Sequence, residues 1–241
     1  MVFRLVERQN KRTKQLKMAE LQLYDKLLQF PLFAGMRHAD IMELVAHTRL
    51  DFRKMEANKP IVQADTPCEN IIMLVSGQIE STTFSADKGF SVTEVFNSPY
   101  SLQEENMFGY SQCYQSTFTT TTRCHFISIN KKELVALFDK FVTIRLNYLN
   151  LLASMTQKTT RAKWLPKGND NRSRIINFLA EHSLRPAGFK TYNILMKRLA
   201  EEVNASRLEV SRELNKLEEE GLLTLSRGRV TVPFLERLIT L

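Results

Sequence analysis

The 241-residue chain holds only three cysteines, Cys68, Cys113 and Cys124, and no CxxC pair. So few thiols at that spacing exclude a disulfide framework and a four-thiolate iron–sulfur cluster, and predict a reducing, cytoplasmic compartment. Long hydrophobic runs are missing as well. No stretch of about 18 apolar residues occurs, so no membrane-spanning helix is expected. The N-terminus is charged and no long apolar stretch follows, which argues against a secretory signal. Histidine is sparse and scattered at His38, His47, His125 and His182, with no His-x-His pair. A cupin-like metal enzyme needs clustered His and carboxylate ligands, and that class loses its support. Cys124 and His125 are neighbours on an expected strand, point to opposite faces, and cannot share a metal. No phosphate-binding glycine loop, nucleophile elbow or kinase set occurs, so no enzyme class is indicated and no metal or cofactor is expected.

What is present is an ordinary globular composition, 43% hydrophobic and 25% charged, with a net charge of +8. The excess is not spread evenly. Residues 1–17 hold six basic residues and one acid, residues 166–241 hold 13 basic and 10 acidic, and the middle is neutral. Positive ends on a neutral body suggest an anionic polymer or surface as partner.

The chain changes texture along its length. Residues 1–30 lack Gly and Pro, and Met18, Leu21, Tyr24 and Leu28 recur at helical spacing. A short helix is expected near 38–48, with Ile41, Leu44 and Val45 on one face. From about 50 to 130 short apolar or alternating runs are punctuated by Pro60, Pro67, Gly77, Gly89, Pro99 and Gly109. That cadence suggests an antiparallel sandwich or barrel. Helical period returns from Lys131 to about Lys163. There Phe141, Ile144, Tyr148, Leu151 and Met155 form one stripe, and Val142, Leu146, Leu149 and Leu152 a second. A helix apolar on two sides needs two partners: the β domain for one, and the same helix of a second subunit for the other. The dimer contact is assigned to the Phe141–Met155 stripe. Leu165–Asn171, with Pro, Gly and three Asx residues, reads as a linker.

Residues 194–217 read ILMKRLAEEVNASRLEVSRELNKL. The first helix would bury Leu195, Leu199, Ala200 and Val203 and end at Asn204, a residue that tolerates a left-handed turn. Ser206 and Glu209 form a capping box for a second helix. Val210, Leu214 and Leu217 would bury, leaving Arg207, Leu208, Ser211 and Arg212 outward. Two helices on a three-residue turn, the second basic on its free face, make a helix-turn-helix. Two short strands joined by Ser226-Arg227-Gly228 read as a wing. Arginines early on such a helix can grip guanine through paired hydrogen bonds. Arg207, Leu208, Glu209, Ser211 and Arg212 are therefore the base-reading candidates, although capping competes for the Glu209 carboxylate. Lys197, Arg198, Ser206, Arg227 and Arg229 are the phosphate candidates.

From about Leu27 to Val232 the chain resembles the Crp/Fnr family of bacterial transcription regulators. The resemblance is carried by LAEEV, SRLEVSREL, KLEEEGLL and the wing, and N-terminally by FPLFAGM and MLVSGQI with Gly77 at the turn. It implies an α+β chain: a cyclic-nucleotide-binding-like jelly roll (a double-stranded β-helix), a long dimerisation helix and a winged helix-turn-helix. The expected boundaries are a basic extension 1–26, a sensor domain 27–138, the dimerisation helix 139–165 and the DNA-binding domain 166–241. The resemblance also implies a homodimer on a pseudopalindromic operator, whose two-fold symmetry would place half-sites about 34 Å apart. Double-stranded DNA and a second copy are the expected partners, with RNA polymerase a further candidate and a small-molecule effector unidentified or absent.

The effector cassette departs from the family. Cyclic-nucleotide binders carry Gly-Glu and then Arg-Ser or Arg-Thr some ten residues on. Here Gln103 replaces the glycine, Glu104 matches the acid, and Tyr114 or Gln115 stands where the arginine belongs, before Ser116 and Thr117. No basic residue lies between Asn106 and Phe118. A buried phosphate without a cation is costly, so cyclic AMP or cyclic GMP binding in the usual mode is not expected. The rival readings are a ligand sensor whose DNA binding is lost and, more remotely, a jelly-roll enzyme.

Overall fold

A computed structural model describes residues 23–162, 164 and 168–240. Most of the basic 1–26 extension, and residues 165–167 of the expected linker, lie outside the described residues. A helix ending at residue 27 and a short 3-10 turn lead to α1 (His38–His47), which buries Ile41 and Leu44. Strands β1 (Asp51–Met55), β2 (Pro60–Val62), β3 (Asn70–Ser76), β4 (Gln78–Phe84), β5 (Ser91–Asn97), β6 (Tyr100–Ser101), β7 (Thr117–Thr120) and β8 (Cys124–Asn130) follow. They form two facing sheets, so the short-strand cadence does encode a β-sandwich. One sheet has the order β1-β8-β3-β6. The other contains β5-β4-β7-β2. Inward side chains such as Ile71, Met73, Ile79, Phe96, Phe118 and Ile129 are fully or nearly fully buried between them.

Gly77 joins β3 to β4 at φ 104°, and a Cβ there would come within 2.6 Å of the Cys124 sulfur. The position needs glycine on both counts.

The helix expected over 139–165 starts at Val142, and a separate helix precedes it. α2 (Lys131–Lys140) opens on Asn130, whose side chain accepts from the Glu133 amide, and stops at Phe141, which is extended at φ −119°, ψ 99°. α3 (Val142–Ala162) follows. Its apolar faces are also distributed differently from the expectation. Ile144 and Tyr148 are buried in the sandwich core, Phe141 packs on its edge, and Leu151 is half-buried. Asn147 fixes this face by donating to the carbonyls of Leu32 and Ala34 at 3.0 and 2.8 Å. The stripe assigned to a second subunit is thus largely used within the subunit. The free stripe is Val142, Leu146 and Leu149, each more than half exposed, with Met155 beside it at 41%.

The C-terminal part contains α4 (Asn171–Glu181), β9 (Lys190–Asn193), α5 (Met196–Glu202), α6 (Arg207–Glu219), β10 (Thr224–Ser226), β11 (Arg229–Val232) and α7 (Leu235–Ile239). Sequence reasoning expects the helix pair and the two wing strands here and misses β9 and α7. β9 alters the architecture: it pairs with β11 on one edge and with β5 on the other, so the wing and the sandwich share one seven-stranded sheet, β10-β11-β9-β5-β4-β7-β2. The second core, around Ile175, Phe178, Leu199, Val210, Leu214 and Val232, accordingly includes Phe90 and Val92 from the sandwich. Among the described residues no helix is long and apolar enough to cross a membrane.

Candidate nucleic-acid interface

α5 and α6 meet across a turn that Asn204 makes possible at φ 49°. Leu199, Ala200 and Val203 are buried, as the helical spacing requires, but Leu195 is 65% exposed because it caps α5 from outside the helix. At the start of α6 the capping box is complete. The Glu209 amide donates to Ser206 Oγ at 3.2 Å and the Ser206 amide donates to Glu209 Oε2 at 2.9 Å. The bond with Ser206 holds the Glu209 carboxyl below the usual carboxylate range. That carboxylate therefore serves the backbone first, and Ser206 has the same employment.

Val210, Leu214 and Leu217 face inward and leave the opposite face of α6 free. Arg207, Leu208 and Arg212 are exposed, and Ser211 is half-buried beside them. Among the described residues neither Arg207 nor Arg212 forms an ion pair with an acid, so both guanidinium groups keep their donors for a ligand. Two residues that sequence reasoning passed over hold this helix in place. Arg174 donates to the carbonyls of Asn204 and Val203 in the turn, at 2.8 and 3.3 Å, and to Asn169 at 3.0 Å. Arg172 grips Glu220 with two bonds of 2.6 Å at the far end of α6. Nothing in the one-dimensional pattern marks these arginines, because their partners lie 30 and 48 residues away.

The wing extends the same surface. Arg227 is exposed in the β10–β11 turn, where Gly228 takes φ 70°, and exposed Arg229 donates to Asn193 at 3.2 Å. Glu218 of α6 accepts from the Leu225 amide at 2.6 Å and ties the wing to the helix. Lys197 is exposed, with Glu201 4.0 Å away. Arg198 is differently placed from its expected phosphate role. It is half-buried and engaged by Glu202 at 2.7 Å and by Asp87 of the sandwich at 2.8 Å.

The expected effector residues are assembled around Gln103, which adopts φ 41°, ψ 45°, the left-handed geometry its glycine counterpart would take freely. Its Oε1 accepts from the amides of Gln115 and Ser116 at 2.9 and 3.4 Å, and its Nε2 donates to Ser116 Oγ at 3.1 Å. Ser116 is fully buried and also meets Thr83 at 2.6 Å. Gln115 contributes only its backbone, since its side chain is exposed, and Thr117 Oγ1 faces away to accept from the Ala64 amide at 3.1 Å. Glu104 is buried, and that burial raises its pKa to about 7 against the opposing contact of Ser101. Its carbonyl accepts from the Tyr148 hydroxyl of α3 at 2.9 Å. Among the described residues no His, Cys, Asp and Glu group is arranged to hold a metal ion.

A packed helix pair whose second helix presents arginines without an acidic partner among the described residues, flanked by an arginine-bearing wing and joined to a β-sandwich, defines a winged-helix DNA-binding protein with a sensor domain. Comparison with known families agrees: residues 52–141 match the cyclic nucleotide-binding domain and residues 173–241 match the Crp-like helix-turn-helix domain. The chain belongs to the Crp/Fnr family of transcription regulators and is not an enzyme. In fold it is similar to the catabolite activator protein of Thermus thermophilus, at 20% identity and TM-score 0.51 over 88% of this chain and 97% of that one. It is similar also to the sensor domain of the transcriptional regulator DNR from Pseudomonas aeruginosa, at 16% identity and TM-score 0.50 over 63% of this chain and 97% of that one. Among curated proteins no sequence matches the chain.

Proposed function

We propose that this regulator acts in the cytoplasm as a homodimer on a pseudopalindromic operator, and that cyclic nucleotides are not its effectors in the family's usual mode. The observation that carries the DNA reading is the free face of α6: Arg207, Leu208 and Arg212 are exposed, and among the described residues no acid pairs with either arginine. In this reading Arg207, Leu208, Ser211 and Arg212 contact base edges, Glu209 mainly orders the helix start, and Lys197, Ser206, Arg227 and Arg229 contact phosphates. Arg198 joins them only if it leaves Asp87. The dimer contact is carried by the exposed Val142, Leu146 and Leu149 stripe, with Met155 at its margin. The working units are 27–138, 139–165 and 166–241, and RNA polymerase is the protein partner this reading anticipates.

The effector reading rests on Gln103. Its carboxamide already accepts the two amides, from Gln115 and Ser116, that lie where a phosphate would be cradled. The segment between Asn106 and Phe118 holds no basic residue, so a phosphate entering here would lose its hydration, displace Gln103 and gain no counter-charge from it. Footprinting on the DNA upstream of its own gene, with and without cyclic AMP, tests both halves. A protected pseudopalindrome whose occupancy is unchanged by the nucleotide is expected. No affinity for any promoter fragment even at low salt would sink the regulator reading and leave a sensor without DNA binding.

A further inference from the structure

The strand that joins the two cores is built to hold one register. Ser91, Val92, Thr93 and Glu94 of β5 pair with Asn193, Tyr192, Thr191 and Lys190 of β9. At the end of this ladder the Lys190 ammonium lies 2.9 Å from Glu94 Oε1, and both side chains are completely buried. Every charge in the pair is satisfied. Glu94 accepts from the amides of Leu184 and Arg185 at 2.8 and 3.3 Å, and Lys190 donates to the Ala187 carbonyl at 2.8 Å. The Lys190 ammonium also sits 5.7 Å from the centre of the Phe96 ring in the sandwich. Phe90 adds packing from the sandwich into the C-terminal core, with ring centroids 5.4 Å from Phe178 and 5.1 Å from His182. A slip of one residue would turn Tyr192 out of the core and strand both charges, so this docking is all-or-none.

The docking leaves the DNA-facing surface open. β9 uses one edge for β5 and the other for β11, so the wing lies beyond it, and Arg207, Leu208, Arg212, Arg227 and Arg229 stay exposed.

We propose that Glu94 and Lys190 are positioning residues for DNA recognition. They lock β9 onto β5 and so hold α6 at one orientation on the sensor domain. The distance between the two recognition helices is then set by a continuous sheet and not by the linker at 165–171. This rests on the dimeric DNA-binding reading above, and the locked form is the one that binds.

The test uses the full-length protein and the footprinted operator. Thr93→Cys with Thr191→Cys places two thiols at directly paired positions, where an antiparallel disulfide can form. The single Thr93→Cys protein controls for Cys68, Cys113 and Cys124. The oxidised, cross-linked protein is expected to bind within about twofold of the wild type. Loss of tenfold or more on oxidation, regained with reductant, would overturn the proposal, because binding would then require β9 to leave β5.

A second arm separates positioning from simple stabilisation. Glu94→Gln should reduce the preference for the native half-site spacing over a site with one inserted base pair. The salt dependence should stay unchanged, since neither residue touches phosphate. Equal weakening on both sites, or no change on either, would count against the assignment. Sedimentation as a monomer would sink the dimer reading separately, and the cross-link would still decide on a single half-site.

Discussion

In the proposed effector reading Gln103 stands where the family keeps a glycine, and its carboxamide accepts from the Gln115 and Ser116 amides. The consequence is measurable. Gln103→Gly should free the Gln115 and Ser116 amides, yet cyclic AMP should still not bind detectably by calorimetry, because the segment between Asn106 and Phe118 holds no arginine. Restoring affinity would need Gln103→Gly together with Gln115→Arg. Glu104, one residue on, makes a pH prediction. Its folded pKa of about 7 lies above the ordinary carboxyl value, so the folded state holds this proton more tightly than the unfolded chain does. The resulting stability is fully present below about pH 4.5 and is lost as pH rises through 7, amounting to on the order of 2–3 kcal/mol. Burial shifts Glu105 in the same direction. Urea unfolding at pH 5 and pH 8 should show this fall, and Glu104→Gln should remove most of it. At the DNA surface, Arg207→Ala or Arg212→Ala should cost about 1–3 kcal/mol on the operator and relax sequence preference. A uniform loss over all duplexes, read by competition anisotropy, would show that they touch phosphate only.

The elements near α6 were legible because their signals are local. A capping box needs residues three apart, a left-handed turn needs Asn204, and the Val210-Leu214-Leu217 spacing fixes the buried face; all three can be read without knowing the fold. Ser206→Ala should therefore lower stability by about 1 kcal/mol in denaturant unfolding, the ordinary loss of an N-cap. α3 was legible only in part. Its two stripes follow from helical period, but which one meets the β-sandwich depends on the break at Phe141, and that break has no Gly or Pro to announce it. With Ile144 and Tyr148 in the core, the exposed stripe is the one to test. Leu146→Glu with Leu149→Lys should convert a dimer to a monomer in sedimentation while leaving the fold intact, whereas Ile144→Ala should lower the subunit's own stability by about 2–5 kcal/mol.

For the whole molecule, a shared sheet and a shared core predict that the chain melts as one unit. Calorimetry on the full-length protein should give a single transition; two separate ones would mean that β9 does not hold onto β5. Phe90→Ala, a change in the sandwich, should weaken exchange protection in α4 and β9 because its ring is packed against Phe178 and His182. By itself the sequence determined the family, the sandwich, the helix-turn-helix and the exposed face of its second helix that carries Arg207 and Arg212. Each of these depends on period, capping or turn chemistry within a few residues. Only the tertiary structure decided where Arg198 is spent, which face of α3 remains free, how Gln103 fills the cradle, and that β9 exists to bind the domains together. Those outcomes rest on partners far apart in the chain, such as Glu94 and Lys190, whose meeting no local pattern records and whose burial only the assembled sheet produces.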